Sequence, residues 1–146
     1  MQKEIAELLE TIVSDLTAAF DVTTPPMPVE IMLQRPKVGM WKEVNLSELS
    51  TAFINVKHRY SPRMSIARLL ARHICRSEWG VTRELAPLVD NSAAIHAFAR
   101  AMLMPRAMLE ALNDSNPTLL ALSTRFEVPE EDVRLRLIDL GYPVNS

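Results

Sequence analysis

Ile5, Leu8, Leu9, Ile12, Val13, Leu16 and Phe20 recur at helical spacing, while Glu4, Glu7, Glu10 and Asp15 fill the rest of the wheel. The pattern predicts a first amphipathic helix over about residues 2–20. Pro25, Pro26 and Pro28 forbid its continuation, and "PVEIMLQR" starts a short second helix. The apolar period then changes. "KVGMWKEV" and "TAFINVKH" are β-like; in the second, Ala52, Ile54 and Val56 share one face while Phe53 and Asn55 share the other. "NLSELS" would connect them into a small antiparallel sheet.

Helical spacing returns over about residues 62–78, with Ser61 as a cap and Pro62 at the first helical position. A further helix over about 92–104 is stopped near Pro105 and has Asp90, Asn91 or Ser92 as its cap. "PRAMLEALN" follows at once. "PTLLALSTRF" and "PEEDVRLRLIDLG" form a closing pair joined by "EV", with Gly141 as the stop. No internal repeat or low-complexity tract interrupts this order. The expected architecture is one α+β domain over residues 1–146: an N-terminal helical segment (1–24), a sheet with two helices (25–105) and a C-terminal helical part (106–146).

Composition adds limits. The chain has 146 residues, 48% of them hydrophobic, and a net charge of −2, so any electrostatic site must be local. The single cysteine, Cys75, has no internal disulfide partner, as expected in a reducing compartment. The opening stretch carries acidic residues through its apolar periodicity, unlike a signal peptide, and no apolar run reaches the ~18–20 residues of a membrane helix. A cytoplasmic protein with no membrane partner is expected.

The order "TAFINVKHRYSPRMSIARLLARHI", then "HAFARAMLMP", then "ALSTRFEVPEEDVRLRLIDLG" resembles the ImmA/IrrE family of zincin-like metallopeptidases, from about residue 25 onward. The resemblance implies a small sheet, a metal helix bearing a His-Glu-x-x-His motif, and a helix ending in "FARAMLMP". Two histidines at i and i+4 share one helix face and can hold Zn²⁺, with the adjacent glutamate as general base. On that pattern Arg68 stands at the first histidine, Leu69 at the glutamate and Arg72 at the second histidine. The acidic third ligand would fall near Ser92–Ala94, where there is no carboxylate; Asp90 is nearest. An arginine ~5 Å from a divalent cation repels it by roughly 6–7 kcal/mol at an effective dielectric of ~20. Two such charges offset much of the ~10–16 kcal/mol that a structural zinc site gains, so no zinc cofactor is expected.

His58, His73, His96, Cys75 and Glu78 remain as candidate ligands, and a relocated metal site at His73, His96 and Glu78 would support an active peptidase. The plainer reading of these histidines is structural, and Cys75 reads as a small core residue. The basic residues from Lys57 to Arg76 (Lys57, Arg59, Arg63, Arg68, Arg72 and Arg76) have no acidic residue among them. Arg68, Arg72 and Arg76, at i, i+4 and i+8, form one stripe, whose like charges disfavour the helix by a few tenths of a kcal/mol per pair. Such a stripe needs carboxylate partners, for which Glu84, Asp90, Glu110 and Asp114 are candidates, or an external anion.

Three functions follow as expectations. The first is a non-catalytic relative of the peptidases, a regulatory domain that binds a protein partner through Arg63, Arg68, Arg72, Arg76 and His96. The resemblance implies a helix-turn-helix repressor as that partner, in stress responses or mobile elements. The second is the relocated metallopeptidase. The third is a nucleic-acid or anion-binding module using the Lys57–Arg76 stripe, which the net charge disfavours. The closing helix pair is a poor DNA reader, because Glu130, Glu131 and Asp132 in its second helix would repel phosphates.

Overall fold

The computed structural model describes residues 3–44, 59–112 and 115–145, and among these the architecture is helical with no strand. The described residues form eight α-helices in order: α1 (Lys3–Ala19), α2 (Val29–Gln34), α3 (Ser61–Arg76), α4 (Glu78–Val81), α5 (Ser92–Leu103), α6 (Arg106–Ala111), α7 (Leu119–Phe126) and α8 (Glu130–Leu140). A 3-10 helix, Ala86–Asp90, leads into α5.

The expected α+β fold with a small sheet is therefore corrected to an all-helical one among the described residues. Residues 37–44, read as β-like, form turns and unpaired extended chain. Their polar groups fold back on α2: the Val44 amide donates to the Leu33 carbonyl (3.1 Å), and Trp41 Nε1 donates to that of Met32 (3.0 Å). Gly39 turns the chain at φ 83°, and Val38 stands fully in solvent, so the alternation does not mark a sheet face. The second β-like segment, 51–58, lies outside the described residues, as do Lys57 and His58.

Amphipathic packing drives the rest. The predicted stripe of α1 buries Leu9, Ile12, Val13 and Leu16. Helix α5 lies at the centre, burying Ala94, Ile95, Ala97, Phe98, Ala99, Ala101, Met102 and Leu103, and it packs against α1, α3 and α8. Its alanines let neighbouring helices approach closely while Phe98 and Met102 fill the gaps. One hydrophobic core runs from Leu9 through Leu70, Ile74 and Phe98 to Phe126 and Leu137.

Caps set the boundaries. Helix α3 begins at Ser61, not after it, with Tyr60 in the capping position and Pro62 in the first turn. It ends at Arg76 because Ser77 turns to extended backbone, and Ser77 Oγ accepts from the Gly80 amide (3.0 Å) to start α4. Gly80 is required there: a Cβ would lie 1.9 Å from the Ile74 carbonyl oxygen. Asn91 caps α5 through the Ala94 amide (3.1 Å), and Thr118 caps α7 through that of Ala121 (3.1 Å). Gly141 closes α8 in the left-handed region.

Candidate functional site

Helix α3 presents its arginines in three different settings. Arg63, at the N-terminal end, is a structural clasp. Its guanidinium grips both carboxylate oxygens of Glu30 on α2, donates from Nη2 to the Met27 carbonyl (2.8 Å) and from Nε to that of Glu127 (3.2 Å). Those bonds join α2, α3 and the α7–α8 turn. They commit the Arg63 guanidinium to contacts within the fold. Arg76, in the last turn, is exposed and stands near His73 and Cys75. A cation there suits the helix dipole.

Arg68 and Arg72, between these, are half-buried on α3, which packs against α5. Both act on His96, one residue of α5, as does Arg100 one turn further along. Among the described residues Arg68 donates only to Ser65 Oγ, at 3.4 Å, and Arg72 makes no hydrogen bond or ion pair. None of the expected carboxylates that the structure describes answers them. Glu110 instead accepts from the Tyr142 hydroxyl (2.9 Å), Glu84 and Asp90 are exposed without a guanidinium partner among the described residues, and Asp114 lies outside those residues. Arg100 differs: it is neutralised by a two-point pair with Asp139 on α8, Nε to Oδ2 at 2.8 Å and Nη2 to Oδ1 at 3.2 Å.

The carboxylate that does enter this field is Asp132. It lies in the first turn of α8 and is half-buried, near Arg68, Arg100 and His96. Burial pushes its carboxyl above the ordinary range, and the attraction of Arg68 and Arg100 only partly opposes that. His96 shows the converse effect. His96 is exposed, yet desolvation by its neighbours, then the charges of Arg68, Arg100 and Arg72, hold its imidazole below the ordinary 6.5, against a weaker pull from Asp132. The cluster therefore keeps His96 neutral at pH 7, an imidazole with one donor and one acceptor beside two cations.

One turn after Asp132, α8 carries a buried clasp. Arg136, 1% exposed, donates from Nη1 and Nη2 to the two oxygens of Glu10 on α1 (2.6 and 2.7 Å) and from Nε to the Met104 carbonyl (3.0 Å). These bonds lock α8 against α1 and the end of α5. Asp132, four residues earlier, shares that face of α8. Sequence reading saw Glu130, Glu131 and Asp132 as one acidic turn and missed that Asp132 alone turns toward α3. The available signal was its i,i+4 relation to Arg136, whose burial only the fold reveals.

The positions that would hold zinc do not fit it. Arg68 and Arg72 offer only N–H donors with no lone pair for a metal, and Leu69, at the general-base position, packs against the core. His73, His96 and Glu78 are not brought together either: among the described residues no three His, Cys, Asp or Glu side chains form a group that could hold a metal ion. Burial and the Arg76 charge lower the affinity of His73 for a proton. Cys75 is completely buried and its thiol is pushed up to about 11, so it is an inert core residue, not a nucleophile. No helix among the described residues is long and apolar enough to cross a membrane.

Comparison of the chain with protein-family models, with curated proteins and with solved structures returns no match.

Proposed function

We propose that this chain is a non-catalytic binding domain, related to the ImmA/IrrE peptidases, that recognises an acidic surface of a regulatory protein partner. One observation carries the reading: Arg68 and Arg72, half-buried on α3, both act electrostatically on the exposed His96 of α5, and no described carboxylate forms an ion pair with either arginine. Where the peptidase pattern has metal ligands and a base, this helix has two permanently charged guanidinium groups and a leucine. They are poor general bases at any pH near neutrality and good anion receptors, because their forked donors match carboxylates in pairs. Their half-burial raises the value of such a contact, since a partner that covers them removes water that would screen it.

A repressor-type regulator is the kind of partner the family resemblance suggests. The test combines two measurements on the full chain. Arg68→Ala/Arg72→Ala is expected to keep its far-UV circular dichroism and lose binding to an acidic peptide, measured by isothermal titration calorimetry. Uptake of one equivalent of zinc per chain together with cleavage of a protein substrate would sink the proposal.

A further inference from the structure

The arginines stand on adjacent turns of one rigid helix, and that spacing limits what can bind both. Arg68 and Arg72 are four residues apart inside α3, so their Cβ atoms are ~5–6 Å apart along one face. Their stems are half-buried, which restricts the directions the guanidinium groups can take. Two carboxylates at i and i+4 on another helix repeat this same separation. Alternate residues of a flat strand are spaced at ~6.6 Å, but they are held to a straight line, whereas two helices laid side by side keep both pairs in register.

The surroundings set the size and sign of the receptor. Arg100 is already neutralised by Asp139, so the uncompensated charge is that of Arg68 and Arg72 less that of Asp132. The first turn of α8 is acidic: Glu130 and Glu131 stand next to Asp132 in the chain, Glu131 being paired with Arg134 on the same helix. A continuous phosphate backbone leaving the two arginines meets those carboxylates, and the chain's net charge of −2 gives it no wider attraction. A short segment with two carboxylates brings fewer negative charges to that acidic neighbourhood than a continuous phosphate chain does.

Resting on the binding function proposed above, we infer that Arg68 and Arg72 together receive a helical segment of the partner protein carrying two carboxylates one turn apart. Asp132, in the first turn of α8, shares the field of Arg68 without an ion pair to it and opposes such a segment by like charge.

Three alanine-rich helical peptides of equal charge serve as probes by calorimetry with the full chain: glutamates at i and i+4, at i and i+2, and a scrambled control. A single-stranded oligonucleotide is the fourth ligand. The i,i+4 peptide is expected to bind at least tenfold more tightly than the i,i+2 peptide. Arg68→Ala/Arg72→Ala, checked for native circular dichroism, is expected to abolish that preference, and Asp132→Asn to tighten i,i+4 binding several-fold. If all peptides bind alike and the arginine variant weakens all of them, acid recognition stands and the helical spacing is overturned. Weaker binding by Asp132→Asn overturns the opposing role of Asp132. If only the oligonucleotide binds, through the same arginines, both the inference and the protein-binding function fail. If nothing binds, or the arginine variant changes nothing, the arginine cluster is not the receptor.

Discussion

The Glu10–Arg136 pair is the most exacting test of how this fold is held together. It joins α1 and α8, and Arg136 is 1% exposed, so its charge is almost wholly removed from bulk water. Replacing Glu10 with alanine removes two charge-assisted bonds of 2.6 and 2.7 Å and leaves a buried guanidinium with the Met104 carbonyl alone. Breaking one partner of a buried pair costs roughly 3–5 kcal/mol. A cleft lined by Ala6, Glu10, Ala97 and Asp139 opens beside the vacated carboxylate and can admit water, which puts the expected cost near 3 kcal/mol. For a chain of this length that corresponds to a fall in Tm of roughly 6–12 °C.

The complementary change is Glu10→Leu with Arg136→Met, which removes both charges while keeping volume. Hydrophobic replacement of a whole buried pair is often neutral, so the double variant is expected to be more stable than Glu10→Leu alone. Urea unfolding followed by circular dichroism at 25 °C, arranged as a double-mutant cycle, measures the coupling. A loss below ~1 kcal/mol for Glu10→Ala, or strict additivity of the two single changes, would refute the clasp as described. If the clasp is real, Glu10→Ala also frees α8 and should weaken the placement of Asp132 beside His96.

Cys75, with its thiol near 11 and no exposed surface, should not react with Ellman's reagent at about pH 8 in the native state. One equivalent should react in denaturant, and fast native labelling contradicts its burial. Gly80→Ala forces a Cβ against the Ile74 carbonyl, which cannot move without unwinding the end of α3. A loss of about 1–3 kcal/mol is expected by urea denaturation, and an unchanged midpoint refutes the close approach. His73 and His96 are both held below the ordinary 6.5, so the unfolded chain takes up their protons first as pH falls. Their contribution is therefore complete above 6.5 and is lost as pH falls through their depressed values. The urea midpoint should drop between about pH 7.5 and about pH 5.5, less so in His73→Gln/His96→Gln. A midpoint that rises over that interval in the wild type contradicts both shifts.

The helices were largely legible because their signals are local. The α1 stripe, the Pro105 stop and the Gly141 end each follow from spacing or backbone chemistry within a few residues, and the structure repeats them with shifts of one or two positions. The break at Ser77 was missed: helical periodicity continues through "CRSEWG", and only the fit of Gly80 against the Ile74 carbonyl makes the turn there. The β reading of residues 37–44 failed for a similar reason. Alternation says which side chains differ, not whether a second strand exists to pair with, and here α2 supplies the hydrogen-bond partners instead.

For the stretch "SIARLLARHICR", the sequence by itself determined that Arg68 and Arg72 share a face and that no histidine–glutamate–histidine set stands there, because both follow from identity and a period of 3.6 residues. It could not separate the arginines by role. Tertiary structure bound Arg63 into a clasp, left Arg76 in solvent, and set Arg68 and Arg72 beside His96. It also chose Asp132 from three adjacent acids as their neighbour. Pairing and burial depend on which helices come together, and a charge acquires its meaning from the distance and dielectric between it and residues far along the chain.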